Sequence, residues 1–88
     1  MDRQALRETL LDLLEQETWE RPAHLADDVN LRTGLKLDSV DLLSIALQAE
    51  RKLGISIDSR DFNVIITVGD LLDLLQMKSA AKSSARAA

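Results

Sequence analysis

The chain has 88 residues, 45% of them apolar and 30% charged, which is enough for one hydrophobic core and too balanced for a disordered segment. It has no cysteine, which excludes a disulfide, a thiolate metal site and a cysteine nucleophile. Its formal charge of -4 understates the acidity of the body, because all 15 acids but only 8 of the 11 basic residues precede Lys78. That sign, with one Phe and one Trp, argues against nucleic acid and anionic membranes as partners.

DRQALRETLLDLLEQE reads as an amphipathic helix, with Leu6, Leu10, Leu13 and Leu14 on one face and Asp2 as N-cap. Its mixture of charges and leucines matches neither a signal peptide nor a membrane span, so a soluble cytoplasmic protein is expected. From Thr18 to Leu37 the periodicity fails and Pro22, Asp27, Asp28, Asn30 and Gly34 mark a long connection. Trp19, Leu25, Val29, Leu31 and Leu35 predict that this loop is pinned to the core.

A second helix is predicted from Asp38 or Ser39 to about Leu53, closed by Gly54. A short third helix follows in DSRDFNVI, with Phe62 and Ile65 or Ile66 inward. A last one begins in TVGDLLDLLQM, where Thr67 and Asp70 have capping-box spacing. The residues from Lys78 are small and polar and are expected to form a disordered tail, which leaves a folded domain over residues 1–77 and a tail over 78–88. The expected fold is all-α: a small antiparallel bundle of three main helices and one short one, with a long loop between the first two.

In the second helix, Leu42, Ile45, Ala46, Ala49 and Leu53 form a core stripe, with Asp41, Ser44, Gln48, Arg51 and Lys52 opposite. Val40, Leu43 and Leu47 extend the apolar arc. Leu43 is expected to be covered by neighbouring elements, and Val40 and Leu47 to be partly exposed as a docking strip for another protein, with Asp41 and Glu50 at its rim. Asp38 can cap the helix with Asp41 at the third position, which places Ser39 in the first turn. There an anionic group is favoured by roughly 0.3–1 kcal/mol. Spacing alone leaves two roles for Ser39, a cap or water-facing hydroxyl and an anchor for an anion.

LDSVDLL around Ser39, followed by LQAERKLGISID and TVGDLLDLL, resembles the acyl carrier proteins and related phosphopantetheine-binding carrier domains over about Leu31 to Leu75. The resemblance implies that Ser39 bears 4'-phosphopantetheine, transferred from coenzyme A by a magnesium-dependent phosphopantetheinyl transferase. Acyl or aminoacyl groups would ride on the thiol of that arm, so the chain itself would catalyse nothing. The partners implied are the transferase, an acyl-loading ligase or acyltransferase, and the synthase enzymes of a fatty acid, polyketide or specialised pathway. By position Asp38, Val40, Leu47 and Glu50 match docking residues of the family.

Three departures stand out. Lys36 replaces the glycine of the family's LGxDS pattern, bringing a cation near the serine. Ser44 and Arg51 occupy places that are often acidic, with Lys52 following, so the docking helix is mixed in charge and a dedicated partner is expected. The sequence lacks a second domain, so a free-standing, monomeric carrier is expected. The rival readings are an aminoacyl or peptidyl carrier and an unmodified helical interaction module. An enzyme is disfavoured because G-x-S-x-G is absent and His24 is the one histidine. Asp27, Asp28 and Asn30 lack the spacing of a calcium loop, and no metal is expected.

Overall fold

The computed structural model describes residues 2–87, with side chains described for residues 2–80. Four helices follow in order: α1 (Arg3–Thr18), α2 (Ser39–Leu53), α3 (Ser59–Val64) and α4 (Val68–Ala87). They form a small helical bundle with no sheet among the described residues, in which α1 packs against both α2 and α4.

Local chemistry sets the helix ends. The Asp2 carboxylate accepts from Ala5 N at 2.7 Å and starts α1, while Gly54, at φ 66°, closes α2 with its N–H on Glu50 O. Asp58 and Asp61 form a reciprocal capping box at α3. At α4 the expected pair is present: Asp70 N donates to the Thr67 hydroxyl at 3.2 Å, and Thr67 N donates to the Asp70 carboxylate at 3.1 Å. The backbone amides of Ile66 and Thr67 hold the Asp70 carboxyl below the usual aspartate range.

The core is almost wholly aliphatic. Leu6, Leu10, Leu13 and Leu14 of α1 meet Leu42, Ile45 and Ala49 of α2 and Val68, Leu71, Leu72 and Leu75 of α4. Leu25, Leu31 and Leu37 descend into it from the long loop, with Val29 and Leu35 partly buried against it.

That loop is fastened at two places. The first amides of α4, which have no partner within their own helix, donate to loop carbonyls: Val68 N to Val29 O at 2.9 Å and Gly69 N to Asp27 O at 2.8 Å. Asn30 and Thr67 form an isolated antiparallel bridge alongside, and Leu31 N donates to Ile66 O at 3.0 Å. A Cβ on Gly69 would lie 3.1 Å from the Asp27 backbone oxygen, so glycine permits this approach. The second fastening is ionic. The Asp27 carboxylate is shared by Arg3 at 2.8 Å and Arg7 at 2.6 Å, and Arg3 reaches on to Asp73 of α4 at 2.7 Å. Hydrogen bonds from the two guanidinium groups hold the Asp27 carboxyl below its usual range.

One expectation needs correction here, and two others gain detail. Trp19 is not among the residues that pin the loop. It sits in the left-handed region at φ 67° as the C-cap of α1 and is 91% exposed. Of the two isoleucines offered for the core after α3, Ile65 is buried and Ile66 is exposed, its carbonyl serving the Leu31 bond instead. Finally, α4 spans Val68–Ala87. Lys78 is half-buried and lies 3.2 Å from Asp61, tying α4 to α3, and helical backbone continues through Ala87. Alanine, lysine and arginine are strong helix formers, so a segment with nothing large to bury can still extend an established helix.

Candidate functional site

The end of the long loop and the start of α2 carry the candidate site. Two backbone features set its approach. Asn30 Oδ1 accepts from Arg32 N at 2.8 Å and Thr33 N at 2.9 Å, turning the chain, and Leu37 N donates to Leu31 O at 3.2 Å to close the turn. Gly34 lies inside it, where a Cβ would come within 2.7 Å of both Asn30 O and Val29 Cγ1. Lys36 then adopts φ 58°, the left-handed region that glycine enters freely and lysine does not. This is the physical meaning of the glycine-to-lysine departure: the position asks for glycine on backbone grounds.

Asp38 is the N-cap of α2. Its Oδ1 accepts from Asp41 N at 2.9 Å, and Asp41 Oδ2 accepts in return from Asp38 N at 3.3 Å. Both carboxylates are therefore turned onto backbone amides of the helix start. Ser39, at the first helical position, is exposed, and its hydroxyl has no hydrogen-bond partner among the described residues. Capping is done by Asp38, so the hydroxyl is free to react beside the positive end of the helix dipole.

The face of α2 beyond Ser39 divides as its periodicity requires. Leu42, Ile45, Ala46 and Ala49 are buried, while Val40, Leu43 and Leu47 are 73%, 52% and 50% exposed. Leu43, expected to be covered, joins Val40 and Leu47 on the surface. The loop contributes its leucines to the core between α1, α2 and α4 and does not cross this flank.

Two of the polar positions singled out on α2 have structural duties. Glu50 Oε2 accepts from Ile57 N at 3.0 Å and holds the extended piece after α2, so only part of this half-buried carboxylate faces outward. The Ser44 hydroxyl donates to Glu17 of α1 at 3.1 Å and accepts from Gln48 at 3.2 Å, which gives this serine a bridging role between α1 and α2. Arg51 and Lys52 are exposed in the last turn, favourably placed for the negative end of the helix.

A depression of about 250 Å³ lies beside Ser39, lined also by Arg32, Leu42, Leu43, Phe62 and Asn63. Sequence reasoning missed Arg32 and Asn63, because nothing in local spacing reports that α3 and the loop turn meet next to the serine. Lys36 faces another depression, formed with Leu14, Thr18, Glu20, Arg21 and Pro22. His24 is exposed in the loop, and among the described residues no group of three or more His, Cys, Asp or Glu side chains could hold a metal ion. No helix among them is long and apolar enough to cross a membrane.

Comparison with known proteins adds the following. Residues 4–75 match the family described as "Phosphopantetheine attachment site". The meromycolate extension acyl carrier protein of Mycolicibacterium aurum is 29% identical over 79 residues, covering 90% of this chain and 81% of that protein. An acyl carrier protein of Rhodococcus erythropolis is 29% identical over 74 residues, covering 84% and 81%. The crystal structure of an acyl carrier protein from Thermotoga maritima superposes with a TM-score of 0.80 at 19% identity, over 89% of this chain and 91% of that one, which is a likeness of fold. With most of its length inside the family match and a bundle of the same architecture, this chain belongs to the phosphopantetheine-binding acyl carrier protein family.

Proposed function

We propose that this chain carries acyl intermediates as thioesters on a 4'-phosphopantetheine arm attached to Ser39, and presents them to the enzymes of a fatty acid, polyketide or specialised biosynthetic pathway. The observation that supports it most directly is the division of labour at the start of α2. Asp38 and Asp41 satisfy the helix amides between them, and the Ser39 hydroxyl is exposed with no structural task among the described residues.

These residues fit the group. A phosphodiester at the first helical position lies where backbone N–H groups and the helix dipole favour an anion, and Arg32 lines the adjoining depression. In the loading reaction Ser39 Oγ forms a bond to the β-phosphorus of coenzyme A as the pyrophosphate bond breaks. Adenosine 3',5'-bisphosphate leaves, and the hydroxyl proton passes to the transferase. The bound group supplies the thiol that a cysteine-free chain lacks. The chain's own residues anchor, orient and present it, and the bond-making chemistry belongs to partner enzymes acting in the cytoplasm, where coenzyme A is supplied.

Val40, Leu43 and Leu47 form the apolar contact for those partners, with Asp38 and Asp41 at one end and Arg51 at the other. The partners proposed are the transferase, an acyl-loading ligase or acyltransferase, and the pathway's synthases. Acyl cargo is favoured over aminoacyl cargo because the similar proteins are named acyl carriers.

The test is intact mass. After incubation with coenzyme A, magnesium and a broad-specificity phosphopantetheinyl transferase, the wild type gains the mass of one phosphopantetheine and Ser39→Ala gains none. A wild type that stays unmodified would sink the proposal.

A further inference from the structure

The cations with described side chains fall into two groups. Arg3, Arg7, Arg21, Arg60 and Lys78 make ion pairs, all of them within α1, α3, α4 and the loop that α1 clamps. Arg32, Lys36, Arg51 and Lys52 make none among the described residues, and all four are exposed. This second group lies on α2 and on the turn that leads into it.

Three of the four border the exposed apolar strip. Arg51 follows Leu47 by four residues, so it continues the ridge of Val40, Leu43 and Leu47 along the same side of the helix. At the other end Arg32 lines the depression that contains Ser39 and Leu43, and Lys36 stands three residues ahead of the serine. Lys52 lies instead beside Asp12 and Glu15 of α1 and takes no part.

The acids of this face are engaged. Asp38 and Asp41 accept from each other's backbone N–H at the helix start, where the positive end of the dipole offsets part of their charge. Glu50 accepts from Ile57 N, and Glu17 at the edge accepts from the Ser44 hydroxyl. Of these four only Asp38 is exposed. A chain that is acidic as a whole thus surrounds its docking strip with unpaired cations.

We infer that the enzymes that receive this protein meet it with an acidic surface: an apolar groove for Val40, Leu43 and Leu47, flanked by Asp or Glu side chains that pair with Arg51 at one end and with Arg32 and Lys36 at the other. The inference rests on α2 carrying the docking strip of a carrier whose arm is on Ser39. A partner with a basic rim would set like charge against Arg51, which selects against it. Arg51 is the discriminating residue, because twelve residues of helix place it about 18 Å from Ser39, beyond the roughly 10 Å over which salt leaves an exposed phosphodiester much influence. An anionic membrane fits less well than a protein, since the 15 acids against 8 bases ahead of Lys78 repel an extended negative surface.

The test uses two synthetic amphipathic helical peptides with the same apolar face, one carrying Glu and the other Lys on its polar face. Each is titrated into full-length ¹⁵N-labelled holo-protein, loaded as confirmed by intact mass, with vesicles containing phosphatidylglycerol as a third probe. The Glu peptide should shift the amides of Lys36 and of residues 40–51 and bind about tenfold or more tighter than the Lys peptide at low ionic strength, an advantage that shrinks with added salt. Arg51→Glu should reverse the preference with the helical dichroism kept, and Arg51→Gln should reduce it. Equal affinity for the two peptides, preference for the Lys peptide, or binding of neither would overturn the inference. So would shifts confined to α4 beyond Lys78, or vesicles that move the α2 amides where the Glu peptide does not. Each of these leaves the carrier function standing; a wild type that gains no mass would remove both.

Discussion

Replacing Lys36 by glycine should stabilise this protein, although it removes an entire side chain. Lys36 has φ 58°. In that region the Cβ of an L-residue crowds the following carbonyl, at a cost of roughly 1–2 kcal/mol. Glycine removes the clash but broadens the unfolded ensemble, which returns about 0.4–1 kcal/mol. The Lys36 side chain is exposed and makes no ion pair among the described residues, so little else is lost. The net expectation is a gain of roughly 0.5–1 kcal/mol, or a midpoint raised by about 2–8 °C for a domain of this length.

The assay is urea and thermal unfolding followed by circular dichroism, with Lys36→Ala as control. Alanine deletes the charge but keeps the Cβ, so its change should stay within about 0.5 kcal/mol. If glycine and alanine shift the midpoint equally, the effect is one of charge and the backbone argument fails. No gain with glycine would refute it outright.

Other substitutions read different parts of the structure. Gly34→Ala should cost roughly 1–3 kcal/mol, because the new Cβ meets the Asn30 backbone oxygen and Val29 at 2.7 Å; an unchanged denaturation midpoint would show that the turn can open. Leu72→Ala, at a site with no exposed surface, should cost about 2–5 kcal/mol in the same assay. Val40→Asp and Leu47→Asp should weaken transferase or partner binding by about tenfold or more, roughly 1.4 kcal/mol, with helical dichroism unchanged; a melted domain would place these residues in the core. The lowered carboxyls of Asp27, Asp61 and Asp70 contribute stability that is complete above the ordinary aspartate value of 3.8 and is lost as pH falls through their lower folded values. Asp27→Asn should therefore be less stable than wild type near neutrality, with the two acid-unfolding curves converging below pH 3.8, and a constant gap would contradict the pairing.

What could be read from the sequence was what depends on neighbours in the chain. Asp2, Asp38 with Asp41, Thr67 with Asp70, and Gly54 each announce a helix end through chemistry within a few residues. The leucine and isoleucine spacings gave the buried face of each helix for the same reason. What could not be read depends on elements distant in sequence. Arg3, Arg7 and Asp27 meet across the loop, and nothing near any of them reports that pairing. Leu43 and Trp19 were misplaced because apolarity states a preference for burial, while burial itself needs another element to arrive. Around the candidate site, Ser39 and its cap were legible, but Arg32 was not. Its place beside the serine comes from the Asn30 turn and from the packing of α3, neither of which spacing reveals.

The way the loop is held bears on how the proposed anchor, Ser39, would be presented to partner enzymes. Ser39 follows a long connection, and a reactive group at the end of a mobile loop would spread over many positions at an entropic cost to every docking event. Here the loop's carbonyls complete the first turn of α4, its leucines enter the core, and Asp27 is clamped by two arginines from α1. The serine is thus fixed relative to Val40, Leu43 and Leu47 before any partner arrives. Loosening that fastening through Asp27→Asn should weaken partner binding even though Asp27 lies outside the proposed docking strip, and partner affinity in this variant should follow the loss of loop order measured by amide exchange. An affinity that stays at the wild-type value while residues 27–37 exchange faster would show that the partner itself orders the serine.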